Sequence, residues 1–329
     1  MNKKVTLLIL ALALALSAQA KGVIKIADGE VPAAIKTVLE ANANKLLSDM
    51  EHACIMHLSK ISIANNYMTK SAEEDLKQMW KSSAMRCPDG IISCRGMSTP
   101  NGGWQLRGIP VDLDEADEGE ERQELTIGFL PDGRIDQVAI AIEMHRYDEL
   151  MAEQESDLDY TRRQIIVNFI ENFRTAYNRR DIGYLEQVYS DNALIITGKV
   201  VQEKQGYKDV SGSTLGGQRV AYVQQSKREY LTRLKAVFNR ARYLNVKFED
   251  IEIVQHPKYD GWYGVTLKQH WHTSGYSDEG YLFLMVDFRD ENLPLITVRT
   301  WQPHKDKYGN VVTTREDVFS LGDFKIERK

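Results

Sequence analysis

The chain has 329 residues, of which 43% are hydrophobic, and its formal net charge at pH 7 is −5. This length suffices for two domains of ordinary size. The acidic balance argues against nucleic acid as a partner, because phosphate binding needs a basic face. The three cysteines are too few for a disulfide scaffold.

The first twenty residues have the pattern of a secretion signal. Lys3 and Lys4 precede the apolar run Val5–Leu16, and a small-residue cleavage site ends at Ala20. We therefore expect residues 1–20 to be a signal peptide that is removed after Ala20, and the mature protein to be periplasmic or secreted. The apolar run is too short to span a bilayer, and no later stretch is apolar enough, so a membrane-spanning protein is not expected.

Residues 21–155 have the pattern of an α+β domain. Apolar side chains at helical spacing predict a long helix that starts near Pro32 and ends near Cys54. Ser71–Glu74 has the sequence of a capping box, which predicts a second, shorter helix. Alternating patterns predict four strands after it, at residues 90–97, 104–113, 123–130 and 135–142.

Cys87 and Cys94 bracket the turn sequence Pro88-Asp89-Gly90. The two cysteines can meet across a small hairpin, and an exported protein permits a disulfide there. Two separate thiols are the alternative.

The centre of the chain carries the clearest pattern. Apolar residues at helical spacing between Ile166 and Tyr177 predict a long helix. Asp181 is a good N-cap for a short helix that follows. Asp191-Asn192 then ends that helix before a predicted strand at residues 193–197.

This central segment resembles the opening of nuclear-transport-factor-2-like domains, which include SnoaL-like polyketide cyclases and ketosteroid isomerase. The matching residues are Tyr177-Asn178 through Asp181, between the helices, and Ser190–Ala193, before the strand. The resemblance implies a cone-shaped α+β fold, in which a curved antiparallel sheet wraps around a long N-terminal helix. It also implies dimerisation through the sheet. Because a tandem pair would satisfy that surface within one chain, the expectation is either a monomer with an intramolecular pseudo-dimer or a homodimer.

The second half continues with the same order of elements as the first. Ser226–Glu229 is a further capping box that opens a helix. Strands are predicted at residues 244–254, 262–272, 281–288 and 295–301, and Tyr276–Gly280 is predicted to be a turn between the second and the third.

We interpret this repetition as two tandem domains of the same family. The first copy, residues 21–155, is degenerate, and the second copy, residues 156–305, is closer to the family pattern. Residues 306–329 are a C-terminal tail with an apolar stretch at Val318–Leu321.

Members of this family share a shape but differ in task, and the expected site is a cavity lined by the long helix and one face of the sheet. A buried Arg299 near Asp287 would suit a small apolar or carboxylate-bearing ligand. The alternative is that the two form a cross-strand ion pair and that the nearby tryptophans are packing residues. The predicted ligand-binding residues are Phe173, Tyr177, Gln269, Trp271, Asp287, Arg299 and Trp301.

The catalytic pattern of the isomerase relatives is absent. By the resemblance, their tyrosine donor falls on Phe173 and their aspartate base on Thr197, so that both proton-transfer groups are missing. We therefore predict no catalytic residue and no cofactor. His270 and His272 have a metal-ligand spacing, with His256 or His304 as a third ligand, but a solvated strand end is the preferred interpretation and no metal site is predicted.

These patterns favour an exported, non-catalytic protein that binds a small ligand or another protein through its second domain. The alternative is a SnoaL-like periplasmic enzyme of the cyclase, isomerase or dehydratase type, acting on a small cyclic substrate. In that alternative Asp287, Arg299 or His270 has an acid–base role.

Overall fold

The computed structural model describes residues 22–27, 31–63, 66–99, 101–114, 122–142, 144–152, 160–202 and 218–326. Within these ranges the chain is α+β, as predicted, and it divides into two compact units. Residues 22–80, 84–114 and 122–141 make up the first unit, and residues 81–83 and 142–326 belong to the second. The predicted signal peptide lies outside the described residues. No helix in the described ranges is long and apolar enough to cross a membrane.

The first unit packs one long helix against a mainly antiparallel sheet. Its elements are β1 (Gly22–Ile26), α1 (Ala33–Ile55), α2 (Lys70–Ser82), β2 (Met85–Arg86), β3 (Gly90–Ser98), β4 (Trp104–Leu113), β5 (Arg122–Phe129) and β6 (Ile135–Ala141). The sheet order is β1-β3-β4-β5-β6, and β2 pairs with β4. The predicted apolar stripe of α1 is confirmed, because Leu39, Ala43, Leu46 and Met50 are all fully buried.

Two features of this unit differ from the sequence-based prediction. Strand β1 was not predicted, and it pairs in parallel with β3. The capping box predicted at Ser71–Glu74 was wrong, because helix α2 begins at Lys70 and its cap lies two residues before Ser71. The Ala72 amide donates to the Thr69 hydroxyl at 3.2 Å, so Thr69 is the cap.

All three cysteines are thiols, so the disulfide considered for Cys87 and Cys94 is not formed. Strand β1 explains why. Cys87 lies beside the first residue of this strand, because a side chain on Gly22 would meet it. Cys94 pairs with the last residue, Ile26. Gly22 and Ile26 are four residues apart on an extended strand, or about 13 Å, and a disulfide needs Cα atoms closer than about 7 Å.

The second unit contains α3 (Met144–Ala152), α4 (Tyr160–Asn178), α5 (Ile182–Val188), β7 (Tyr189–Gln202), β8 (Gln218–Gln225), α6 (Lys227–Arg240), β9 (Leu244–Gln255), β10 (Trp262–Thr273), β11 (Tyr276–Asp287) and β12 (Leu295–Pro303). The sheet order is β8-β7-β12-β11-β10-β9. Strands β9 to β12 form the predicted antiparallel meander, and β7 joins it in parallel with β12.

The helix starts in this unit follow the predicted caps. The Tyr184 amide donates to the Asp181 carboxylate at 2.8 Å, which makes Asp181 the N-cap of α5. Ser226 and Glu229 form a complete capping box at the start of α6. Strand β8, by contrast, was not predicted.

The turn predicted at Tyr276–Gly280 was wrong. These residues belong to β11, and they pair with β10 residue by residue up to Thr273 and Tyr276. The chain reverses at Ser274 and Gly275 instead. The strand is therefore longer than predicted at its hairpin end, and this extension reaches the candidate site.

Both units have a long helix and a shorter helix followed by a four-stranded antiparallel meander. The meander is β3-β4-β5-β6 in the first unit and β9-β10-β11-β12 in the second. The units differ in the strands added to it, because β1 extends the first meander at its β3 edge, whereas β7 and β8 extend the second at its β12 edge.

The C-terminal tail packs on the second unit's sheet. Its apolar residues cover a hydrophobic cluster made of Trp262, Phe283, Met285 and Val298. The ring of Phe324 stacks on that of Phe283 at a centroid distance of 5.7 Å. The side chain of Gln302 holds the tail backbone, because it donates to the Asp317 carbonyl and accepts from the Phe319 amide at 3.0 and 2.9 Å.

Candidate functional site

The sheet of the second unit has two faces, and strand register shows which residues share each one. Arg299 pairs with Leu284, which pairs with Val265, so these three side chains lie on one face. We call this the inner face, because helix α4 covers it. The residues on it are Val246 and Phe248 of β9, Val265, Leu267, Gln269 and Trp271 of β10, Asp278, Gly280, Leu282 and Leu284 of β11, and Arg299 and Trp301 of β12.

Helix α4 is fixed to the inner face by polar contacts at the edge strand β9. The Asn178 side chain accepts from the Val246 amide at 2.7 Å and donates to the Val246 carbonyl at 3.2 Å. The Arg174 guanidinium donates to the same carbonyl at 2.9 Å. These bonds set the height of Tyr177 along the sheet.

Arg299 is the buried cation of this face, with a relative exposure of 5%. Its guanidinium lies 4.8 Å from the ring centroid of Tyr230, which is a cation–π distance. It also donates a hydrogen bond to the hydroxyl of Tyr177. The Nε atom is buried and has no hydrogen-bond partner among the described residues.

Three tyrosines surround the arginine. The Tyr177 hydroxyl lies 2.8 Å from that of Tyr230 and 3.2 Å from that of Tyr189. Burial raises the pKa of Tyr189 and of Tyr230 well above the ordinary value, although the Arg299 charge opposes this rise. Both phenols are therefore neutral at physiological pH, and they act as hydrogen-bonding groups and not as bases.

The charge of Arg299 survives its burial. Burial lowers the pKa of a guanidinium, but the oxygens of Tyr230, Tyr177 and Tyr189 outweigh that effect and raise the pKa of Arg299 above its ordinary value. Because no ion pair with a described carboxylate neutralises it, the arginine remains a positive centre on the inner face.

Two tryptophans stand on either side of strand β11. Trp271 pairs with Asp278, and its ring meets that of Tyr177 edge-on at 5.8 Å. Trp301 lies over Gly280, since a Cβ placed there would come within 2.8 Å of the indole. Both tryptophans are half-buried, and the buried Nε1 of Trp301 has no partner among the described residues.

Asp278 lies at the hairpin end of this face. Its Oδ2 accepts from the Tyr276 hydroxyl at 2.5 Å, and its buried Oδ1 has no hydrogen-bond partner in the described part of the chain. Burial raises the pKa of the Asp278 carboxyl, although the charges of His272 and Arg299 pull it down. A carboxyl in this setting presents an oxygen that no described protein group satisfies.

The structure brings most of the predicted ligand-binding residues to this face. Tyr177 touches both Arg299 and Trp271, and Gln269 and Trp301 lie on the same side of the sheet. Phe173 is fully buried. It packs against Phe169, Tyr177, Tyr189 and Phe248, so it supports the site from behind.

Asp287 is placed elsewhere, and its expected proximity to Arg299 is corrected. Asp287 pairs with Trp262 and lies on the outer face of the sheet, the side that the tail covers. Its carboxylate binds the guanidinium of Arg289 at 2.6 Å. Burial raises the pKa of Asp287, but the hydrogen bonds from Arg289 outweigh burial and lower it overall.

The histidines of β10 also lie on the outer face. His270 is 3.0 Å from Glu249 and 3.8 Å from Glu279, which in turn binds Lys268 at 2.8 Å. This is a cluster of charged groups between neighbouring strands. Among the described residues, no group of three or more histidine, cysteine or acidic side chains is placed to hold a metal ion.

Three site residues were missed by the sequence analysis. Nothing in the sequence placed Tyr189 and Tyr230 beside Arg299. Asp278 was assigned to a turn, yet the alternation Asp278, Gly280, Leu282 continues the inner face and would have identified it.

The element order of the second unit is the one that the resemblance implied. A long helix, a capped short helix and a strand precede an antiparallel meander. The chain resembles nuclear-transport-factor-2-like proteins in fold. The two positions that carry the isomerase donor and base hold Phe173 and Thr197, and the Thr197 hydroxyl accepts from Gln225 at 3.2 Å.

Comparison with known proteins gives structural likeness alone. No family model matches the chain, and no curated protein matches it. Among solved structures, Bd1075 of Bdellovibrio bacteriovorus has a TM-score of 0.33 at 14% identity, over 64% of this chain and 75% of that one.

Two structures of the resembled family are similar over a smaller part of the chain. An NTF2-like protein from Cytophaga hutchinsonii has a TM-score of 0.32 at 13% identity, over 43% of this chain and 97% of that one. An NTF-2 like protein from Shewanella oneidensis has a TM-score of 0.29 at 16% identity, over 42% and 97%.

Proposed function

We propose that the second unit binds a small ligand with an anionic group on the inner face of its sheet, and that it does so without catalysis. The observation that carries this proposal is Arg299. Its guanidinium is 5% exposed, forms no ion pair with a described carboxylate, and leaves Nε without a hydrogen bond among the described residues. Burial of such a group is costly. A bound carboxylate would satisfy it, since arginine and carboxylate form matched hydrogen bonds.

The surroundings of Arg299 suit a flat apolar body attached to that anion. Trp271 and Trp301 are half-buried on the same face, and aromatic walls with few polar groups are typical of small-molecule sites. Tyr177 and Tyr230 hold the guanidinium in place from the helix side. The site is therefore organised before a ligand arrives, which lowers the entropic cost of binding.

The enzyme alternative loses the groups that it required. Asp287 and His270, its acid–base candidates, are on the outer face, where Arg289 and Glu249 engage them. The phenols beside Arg299 have raised pKa values, and a proton shuttle at neutral pH needs values near 7.

The test is native mass spectrometry of the protein purified from its own host, with a search for a co-purifying small acid. We expect the wild type and Arg289→Gln, an exposed arginine of the same unit, to carry the molecule. Arg299→Gln and Trp271→Ala should lose it. If both variants retain the molecule as the wild type does, the assignment of the inner face is wrong.

We also propose that the protein acts after export. The support is the order of Lys3, Lys4, an apolar run and the cleavage site at Ala20. Intact-mass analysis of the protein from a periplasmic or secreted fraction should give a chain that starts at Lys21. A chain from the cytoplasmic fraction that retains residues 1–20 would contradict this.

The first unit is proposed to be a degenerate copy of the second. The shared order of long helix, shorter helix and four-stranded meander supports this interpretation. An alignment of homologous sequences should show the apolar positions of α1 matching those of α4 if the two units have a common origin. Unrelated patterns in the two helices would contradict it.

A further inference from the structure

A cavity lies on the outer face of the second unit's sheet, opposite the face that carries Arg299. Its floor is made by strands β9, β10 and β11, and the C-terminal tail forms its roof. The volume is about 440 Å³, which falls in the size range of small-molecule sites. The strands and the tail therefore enclose enough space for a small ligand.

The strand register explains why the cavity is there. Val254 of β9 pairs with Gly264 of β10, and Thr266 of β10 pairs with Phe283 of β11. Because Gly264 has no side chain and that of Thr266 is short, a depression forms between the larger side chains of Val254 and Phe283. Leu321 of the tail fills part of it, since a Cβ on Gly264 would come within 2.8 Å of the leucine. The remaining space has largely apolar walls.

The cavity has one polar group that the protein leaves unused. Arg315 of the tail lines the cavity beside Glu252. Its Nη2 atom binds the Glu252 carboxylate at 2.8 Å, whereas Nη1 is buried and has no hydrogen-bond partner in the described part of the chain. Since buried N–H groups in native proteins almost always have an acceptor, Nη1 is a donor available to a ligand.

The charges around Arg315 determine which kind of acceptor fits. Glu252 already balances the charge of the guanidinium, and Glu316 adds a further carboxylate to the lining. A second anion would be repelled by this net negative charge. A neutral oxygen, such as that of a carbonyl group, can accept from Nη1 without this repulsion.

We propose that this cavity is a second ligand site, and that it takes a small neutral molecule with an apolar body and one carbonyl oxygen. The oxygen accepts a hydrogen bond from Nη1 of Arg315. The apolar body fills the space between Val254, Phe283 and Leu321. This site differs from the one proposed on the inner face in its position and in the charge of its ligand, and it does not depend on that proposal.

The test uses two probes of nearly the same shape, acetophenone and ethylbenzene, which differ by the exchange of a carbonyl group for a methylene. Each is titrated into the full chain, and binding is followed by the NMR signals of the methyl groups. We expect saturable shifts for Val254, Val318 and Leu321, which line the cavity. Leu282 and Leu284 are the internal reference, because they lie on the inner face, and their signals should not shift.

Three variants examine the role of each part of the cavity. Arg315→Met removes the donor and keeps a long side chain. Since a hydrogen bond to a charged group is a strong one, the affinity for acetophenone should fall at least about tenfold, while that for ethylbenzene should change less than about twofold. Glu252→Gln is the matched control, because it retains Nη1 and should bind both probes as the wild type does. Thr266→Phe fills the depression and should abolish binding of both probes.

The outcomes identify which part of the proposal fails. If neither probe shifts the methyl signals of the cavity, the site is wrong. If Arg315→Met binds acetophenone as tightly as the wild type, or weakens both probes equally, the carbonyl contact is wrong. Binding that persists in Thr266→Phe would place the probes elsewhere. Circular dichroism establishes that each variant is folded, and Arg315→Met tests the proposal without a change to the strands.

Discussion

The hydroxyl oxygens of Tyr177 and Tyr230 lie 2.8 Å apart, although the two residues belong to different helices. This hydrogen bond joins α4 to α6 directly above Arg299, which contacts both side chains. The two helices and the sheet therefore share this buried polar centre. Its removal should affect stability and the geometry of the arginine together.

Tyr177→Phe should lower the free energy of unfolding by about 1–3 kcal/mol, because it leaves the buried oxygens of Tyr189 and Tyr230 and the guanidinium of Arg299 short of a partner. Urea denaturation followed by circular dichroism measures this change. Tyr308→Phe is the control, since Tyr308 is 65% exposed, and it should change stability by less than about 0.5 kcal/mol. Equal stability of Tyr177→Phe and the wild type would show that the tyrosine cluster is not a structural centre.

The periodicity of the sequence was sufficient to predict the meander and the helices other than α3, which was not predicted. The stripes on α1 and α4 and the caps at Asp181 and Ser226 depend on local chemistry, which one segment carries by itself. The α+β class follows from the order of those segments.

The pairing of strands was not predictable in the same way. The expected Arg299–Asp287 contact assumed that two strands align at those residues, whereas Arg299 pairs with Leu284. A bulge between Met285 and Val286 shifts the register further, and a shift of one residue moves a side chain to the opposite face. Contacts between distant segments, such as that of Tyr230 with Arg299, depend on this register.

Gly280→Ala should destabilise the protein and weaken the proposed site. An added Cβ would lie 2.4 Å from the Gln302 carbonyl and 2.8 Å from the Trp301 indole. Such overpacking lowers the free energy of unfolding by about 1–3 kcal/mol. It should also displace the Trp301 indole from its position over the strand. Urea denaturation and the near-ultraviolet circular dichroism of tryptophan measure the two effects.

Gly275→Ala is the matched control for that variant. Gly275 is in the turn that precedes the same strand, and a Cβ there meets no atom within 4 Å. We expect its stability and tryptophan spectrum to equal those of the wild type. If the two alanine variants behave alike, the close packing of Trp301 on Gly280 is not significant for stability.

Asp278→Asn should stabilise the protein at pH 7. Burial raises the pKa of this carboxyl above its ordinary value of 3.8 in the folded state, so folding disfavours the charged form. The charged carboxylate therefore lowers the free energy of unfolding at pH values above the folded-state pKa. This loss of stability disappears as the pH falls below 3.8. The stability difference between variant and wild type should therefore shrink on acidification, as measured by urea denaturation at pH 7, 5 and 3.5.

Asp287→Asn should have the opposite effect and destabilise the protein at pH 7. Hydrogen bonds from Arg289 outweigh burial and lower the pKa of Asp287 below 3.8, so its charged form stabilises the folded state. That stability is present above pH 3.8 and is lost as the pH falls through the lower, folded-state pKa. The asparagine variant should be less stable than the wild type at pH 7, and a gain in stability would contradict the assigned pairing with Arg289.

Removal of the tail after Val312 should expose the hydrophobic cluster on the outer face. The tail covers Trp262, Phe283, Met285 and Val298 with the side chains of Val318, Phe319, Leu321, Phe324 and Ile326. Fully burying one such side chain contributes about 1.5–3 kcal/mol, so the truncated chain should unfold at a lower urea concentration. Exposed apolar patches of this kind favour association, and light scattering after size exclusion should show oligomers that the full-length chain does not form.

Two point variants separate the effect of packing from that of chain length. Phe324→Ala removes the ring that stacks on Phe283 at 5.7 Å, and it should reproduce part of the loss in stability. Glu252→Gln removes the ion pair between Glu252 and Arg315. Both side chains of this pair are partly exposed to solvent. Since exposed pairs contribute about 0–1 kcal/mol, this variant should resemble the wild type. A truncated chain that is monomeric and as stable as the full-length chain would show that the tail is not required to cover the sheet.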